Sequence, residues 1–425
     1  MQKVQSCDVW ICVCTLLFGI IVFGLTVWLT TRDEPGVLRV HKSRLAKHLT
    51  RSAREGIPVV PLRWDADEGG YMIELIVGKS DTPVEFVLDS GSGHLSAKGP
   101  GCKWTSCGDD GQDVCTTQAC PCKLDKTGKR CDSQRYIPKG RKLSPGQDGA
   151  GQDTVMAFGS QEDTVTHFME DVRMPHFTLH SCEDMKRDGL SGGGGSNGAH
   201  EVRDLVVHQI HTIKGTSSSN IMGLSLPLPN SPQVVVSKLS DVWSVVLHES
   251  NGWFALQSLV SCFPKTEYMK MVWPREFSQF MTRFYVVPLV SMEVSDAAGT
   301  FRAVPKNQCP SYLVLDTGTT CCYTEPQLGQ VMRSACGYDD MRSAMRFGVR
   351  GTGVKTVYLQ YTAEECRDPD NPQFCAFNCD PETTLPGFVD IFSGLSVILF
   401  GATLMRNHYW EYDLTNNRVG VERLV

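Results

Sequence analysis

The chain has 425 residues, of which 41% are hydrophobic, and a formal net charge of −6, which is enough for two domains with a core each. The acidic balance offers no basic surface for nucleic acid. No zinc-finger spacing or phosphate-cradling glycine loop is present, so neither nucleic acid nor a metal or other cofactor is expected. Short runs of Val, Ile, Thr and aromatic residues punctuated by Gly and Pro predict a mostly β fold.

In chain order, residues 1–8 form a short tail. Val9 to Thr31 then runs without a charged residue, with Trp10 and Trp28 near its ends. This stretch is long enough to cross a bilayer as a helix and exceeds the about 7–15 apolar residues of a cleaved signal peptide, so an uncleaved, single-pass signal anchor is expected over 9–31. Lys3 precedes it and Arg32, Arg39, Lys42, Arg44 and Lys47 follow, a count that favours a cytoplasmic body. Against that count, 15 of the 18 cysteines lie in the body, which argues for a lumenal or extracellular location on the secretory or endolysosomal route. No Asn-x-Ser/Thr acceptor with a permitted middle residue is present. The basic segment 32–62 reads either as a stalk against anionic lipid or as a removable covering segment, because Leu38 and Val40 alternate as a docking strand needs.

A strand-like run from Val84 to Leu88 leads into Asp89-Ser90-Gly91-Ser92. Six cysteines then crowd into 102–131, without paired C-x₂-C spacing, so disulfides are expected there and not zinc. Gly189 to Gly198 is a glycine-rich surface excursion. A second strand-like run, Tyr312 to Leu315, leads into Asp316-Thr317-Gly318-Thr319. Next come Cys321 and Cys322, which would face opposite sides of a strand. One of them is the candidate for the odd thiol among 15.

The repeated loop is the informative feature. Two carboxyl groups in one small site cannot both ionise, which yields a base to activate water and an acid to polarise a carbonyl. Gly91 and Gly318 allow a tight turn beside the partner loop, and Ser92 and Thr319 offer hydroxyls to the outer carboxylate oxygens. One such tetrapeptide could be an Asx-turn; two in matched contexts are not explained that way.

These loops resemble those of pepsin-like aspartic peptidases, and the likeness extends from about Gly70 to Val425. Gly70 to Gly78 resembles the strand ahead of the first aspartate. Ser219-Asn220-Ile221-Met222-Gly223-Leu224-Ser225 and Val397-Ile398-Leu399-Phe400-Gly401 resemble the apolar-apolar-Gly segments beneath each loop, and Ala402 to Leu424 the final strands. The resemblance implies a bilobal fold with lobes 63–245 and 246–425, the cysteine-rich insertion at 102–131, and a flap about 152–166 with Phe158 and Gly159 where Tyr-Gly is usual. It implies a monomeric endopeptidase acting on peptide or protein substrates at acidic pH. Asp89 and Asp316 would be catalytic, with Ser90 and Thr317 interlocking the loops and segment 32–62 acting as a pro-segment. A serine peptidase does not explain the duplication. The rival from another class is a pepsin-fold binding module with impaired catalysis, suggested by Phe158, His94 and the Cys-Cys pair.

Overall fold

Burial pattern separates the strands into two kinds, half-solvated ones such as Thr356–Tyr361, where exposed residues alternate with buried ones, and central ones such as His408–Asp413, buried at every position. The computed structural model describes residues 57–79, 81–107, 115–120, 135–144, 155–158, 161–175, 178–187, 199–215, 219–227, 235–274, 277, 282–339, 342–367, 377–378 and 395–424. All of them fall in one compact unit, Lys42–Val425; the other unit, Met1–His41, lies outside the described residues and with it the expected anchor 9–31. Among the described residues no helix is long and apolar enough to cross a membrane.

The first half opens with β1 (Ile57–Asp65), β2 (Gly70–Val77), β3 (Val84–Asp89) and β4 (Leu95–Cys107). β5 (Cys115–Ala119) folds back on β4, and β6 (Arg141–Lys142) and β7 (Val155–Phe158) both pair with the long β8 (Gln161–Met174). β9 (Thr178–His180) returns to β1, β10 (His200–Gly215) lies between β4 and β8, and β11 (Ile221–Gly223) closes onto β3 and β4. The hairpin β12 (Val242–Leu247) and β13 (Asn251–Ala255) and the short β14 (Glu267–Lys270) follow.

A second sheet holds β15 (Tyr285–Ser295), β16 (Phe301–Ala303), β17 (Tyr312–Asp316), β18 (Cys322–Thr324), β19 (Met345–Arg350), β20 (Thr356–Tyr361), β21 (Phe377–Asn378) and β22 (Val397–Gly401). The chain then returns to the first sheet as β23 (His408–Asp413) and β24 (Arg418–Arg423), where β23 pairs with β12 and β24 with β14. The C-terminal strands are thus built into the sheet of the first half. β12 runs through position 245, and β1 begins at Ile57, inside the segment 32–62.

Helices are short: α1 (Cys182–Lys186), α2 (Val235–Leu239), α3 (Pro326–Cys336) and α4 (Ala402–Met405). α3 starts on Pro326 and stops at Gly337, whose φ of 69° ends the helix in the left-handed conformation. Disulfides join Cys102 to Cys120 and Cys182 to Cys262. Cys107 stands opposite Cys115 in the β4–β5 register, and the other insertion cysteines, Cys122 and Cys131, lie outside the described residues. Cys321 and Cys322 are buried and not bridged, and the Cys322 sulfur accepts from the Gly401 N–H at 3.3 Å.

Candidate active site

Each half positions its aspartate by the same device, a strand that ends on the carboxylate and runs parallel to a second strand ending in glycine. Asp89 stands opposite Gly223 in the β3–β11 register and Asp316 opposite Gly401 in β17–β22. The glycines are required because the loop backbone passes directly over them. A Cβ on Gly223 would press on Ser92 O and His94 N, and one on Gly401 would press on Cys321 O and Thr319 O.

The two loops then lock together across the halves. Ser90 N–H donates to Thr317 Oγ1 (3.0 Å) and Thr317 N–H to Ser90 Oγ (2.9 Å), while Ser90 Oγ donates to Leu315 O (3.1 Å) and Thr317 Oγ1 to Leu88 O (2.7 Å). Four hydrogen bonds among fully buried groups fix the separation of the loops. Gly91 N–H donates to Asp89 Oδ1 (2.7 Å) and Gly318 N–H to Asp316 Oδ1 (2.9 Å). A Cβ on Gly91 would meet Asp316 Oδ2 at 2.5 Å, and one on Gly318 would collide with Asp89, so each aspartate leans over the other loop's glycine.

Asp89 and Asp316 share a hydrogen bond, and burial, reinforced by the Asp89 charge and that bond, raises the Asp316 pKa well above the usual carboxylate range. Thr319 Oγ1 donates to Asp316 Oδ2 at 2.8 Å, and this bond with that of Gly318 pulls the pKa down without reversing the rise. The Thr319 hydroxyl thus reaches an outer oxygen of Asp316 and favours its ionised form, but desolvation outweighs one hydroxyl. Ser92 departs from expectation. Its Oγ is buried with no hydrogen-bond partner, whereas Thr319 Oγ1 donates to Asp316, so the two halves are not equivalent. Of the expected flap, Phe158 ends β7 opposite Gln161; Gly159 and the Phe158 side chain lie outside what is described.

Several supports were not legible in the sequence. Leu224 N–H donates to Asp89 O (2.7 Å), and Leu224 O accepts from Tyr285 Oη (2.5 Å), which in turn accepts from Trp243 Nε1 (3.3 Å). Trp243 stacks on Tyr412 at 3.8 Å between centroids, making an aromatic floor under the loops. Beside the first loop, His94, His208 and His167 form a row, with centroids 4.9 Å and 4.7 Å apart. Burial, with the neighbouring Arg283 and His167 charges, lowers the His94 pKa to about 4, and burial lowers His208 well below the usual imidazole value. Arg283 lies within Coulombic range of Asp89, Asp316 and His94. Contacts of this kind join residues far apart in the chain, and no local pattern announces them. Among the described residues no group of three His, Cys, Asp or Glu side chains is placed to hold a metal.

Among solved structures, the chain is similar to an aspartic proteinase from Irpex lacteus, with a TM-score of 0.52 and 15% identity over 86% of this chain and 97% of that one. At that identity the likeness is one of fold, and the mostly β, bilobal pepsin-like architecture is shared. No family model and no curated protein matches the sequence.

Proposed function

We propose that the protein is an aspartic endopeptidase that hydrolyses peptide bonds of peptide or protein substrates at acidic pH, with Asp89 and Asp316 as its catalytic pair. The observation that carries this reading is the hydrogen bond between two buried carboxyls, held by the reciprocal Ser90–Thr317 lock. Burial and the neighbouring carboxyl raise the Asp316 pKa, which favours a pair that keeps one proton. In the reaction, Asp89 takes a proton from a water as its oxygen attacks the scissile carbonyl, and Asp316 stabilises the developing oxyanion. The proton gained by the pair then passes to the leaving nitrogen. Phe158 and Gly159 at the β7–β8 turn would cover the substrate. The two disulfides agree with an oxidising compartment, and the anchor at 9–31 would hold the enzyme at a membrane as a monomer, with 32–62 acting as a pro-segment.

One observation favours the rival reading of a binding module. Ser92 fails to support Asp89, so the first loop lacks the hydroxyl contact that the second has. Turnover of a quenched peptide library by protein lacking 1–56 separates the readings. Asp89→Asn and Asp316→Asn should each lower cleavage about 10³-fold or more, while equal cleavage by both variants and the parent would refute the peptidase.

A further inference from the structure

The second half carries a cavity that the aspartate pair does not use. It measures about 190 Å³ and lies where the loop between β16 and β17, the start of α3 and the start of β22 meet. Backbone bonds hold these walls in place: Ser396 O accepts from Ser311 N–H at 2.8 Å and from Tyr312 N–H at 3.2 Å, and Leu328 N–H donates to Glu325 O at 3.0 Å. Asn307, Gln308, Glu325, Gln327 and Ser396 line the cavity and are exposed, so they form its rim. Among the described residues none of these side chains has a hydrogen-bond or ion-pair partner. The deeper wall is apolar, with Pro310, Leu328 and Val397 buried and Val331 half-buried.

Charge and shape restrict the occupant. Glu325 is the one lining residue with a formal charge, and that charge is negative. α3 starts on Pro326, which has no N–H to offer, so the helix start does not compensate for Glu325 and an anion is disfavoured. No aromatic ring lines the cavity to stack a sugar. A cavity of about 150 Å³ already admits a benzene-sized molecule, so this one takes a single side chain. An apolar wall under a rim of oxygen acceptors matches an aliphatic ammonium, whose methylenes cover the wall while its head meets the carboxylate and the amide oxygens. The three rotatable donors of an ammonium suit acceptors spread around a rim, whereas a guanidinium needs them in one plane.

We propose that this cavity is a subsite for a lysine side chain of a bound polypeptide, with the stem on Pro310, Leu328 and Val397 and the ammonium on Glu325. The subsite does not rest on the peptidase reading, since a binding module would use it equally. Cys309 supplies the readout. It lines the cavity half-buried and unbridged, and burial pushes its thiol up to about 11. The full chain is alkylated with iodoacetamide at about pH 8.5, and Cys309 modification is followed by mass spectrometry and normalised to a model thiol in the same tube. Blocked lysine (Nα-acetyl-lysine methylamide) should slow Cys309 alkylation, with half-protection at millimolar concentration. Blocked norleucine keeps most of the stem and drops the charge, so it should need about fivefold more, the upper end for an exposed ion pair. Blocked glutamate should not protect. Glu325→Gln should bring the lysine/norleucine ratio to about 1, a comparison made within one protein and therefore insensitive to changes in thiol reactivity. No protection by blocked lysine, equal protection by blocked norleucine or glutamate, or a ratio unchanged in Glu325→Gln overturns the subsite. Glucose protecting Cys309 where blocked lysine does not would also overturn it, in favour of a polyol.

Discussion

Thr317 and Ser90 each serve as donor and acceptor at once, so neither can be replaced without orphaning a buried group in the opposite loop. Thr317→Val keeps the shape but leaves Ser90 N–H and Leu88 O unsatisfied, at a cost of about 2–4 kcal/mol from two desolvated partners. Urea unfolding should show that loss, and kcat should fall with KM little changed because the aspartates lose their registration. Tyr285→Phe probes the next contact outward. It strips Leu224 O of its hydroxyl donor and should cost about 1–2 kcal/mol with a smaller effect on kcat, since Leu224 bonds Asp89 through the backbone. A kcat loss for Tyr285→Phe as large as that for Thr317→Val would mean that the aromatic floor, and not the crossed hydroxyls, sets the dyad geometry.

At the scale of elements, the Asp-hydroxyl-Gly repeat made the two strand-loop units visible in the sequence because each is local: strand, turn and glycine partner lie in short readable segments. The sharing of one sheet by both halves was not visible, since β23 and β24 meet β12 and β14 across more than a hundred residues. Nor did the sequence reveal Arg283 and the histidine row, which depend on register between strands distant in order, as where His208 pairs with His167 across β8 and β10. Of the disulfides expected in the cysteine cluster, Cys102–Cys120 is formed among the described residues, and its placement was not readable. The Cys102–Cys120 bridge packs with Val165, Ile210 and Ile213, so it braces β8 close behind the β7–β8 turn. Closing a loop of sequence separation 18, it should contribute about 3 kcal/mol. The Cys102→Ser, Cys120→Ser double variant should therefore unfold at lower denaturant and exchange amides in β7 and β8 faster than those of β22. Equal acceleration in both strands would show that the bridge does not brace the hairpin specifically.

Across the whole molecule, burial sets two opposing responses to pH. Asp316 has a raised pKa, so its contribution to stability is complete below the usual value of 3.8 and is lost as pH rises towards the elevated folded value. Asp316→Asn should accordingly be more stable than the parent at pH 7, by an amount that shrinks as pH falls. His94, His208 and His408 behave in the opposite sense. Their pKa values are lowered, chiefly by burial and to about 4 for His94 and His408, so the stability they contribute is present above 6.5 and is lost as pH falls from there through about 4. His408 is buried, with Nδ1 placed 2.6 Å from Arg406 O, and it alone accounts for about 3 kcal/mol across that window. On the peptidase reading, this balance would keep a proton on Asp316 above the ordinary carboxylate range, while the buried histidines would set a stability limit in strong acid. Cleavage should therefore peak at mildly acidic pH, and its acid limb should coincide with loss of the folded near-UV signal. In His408→Gln, the stability difference between pH 7 and pH 4.5 should shrink by about 2 kcal/mol. An acid limb that falls while the parent is still fully folded would assign that limb to the aspartates alone and remove the histidines from the account.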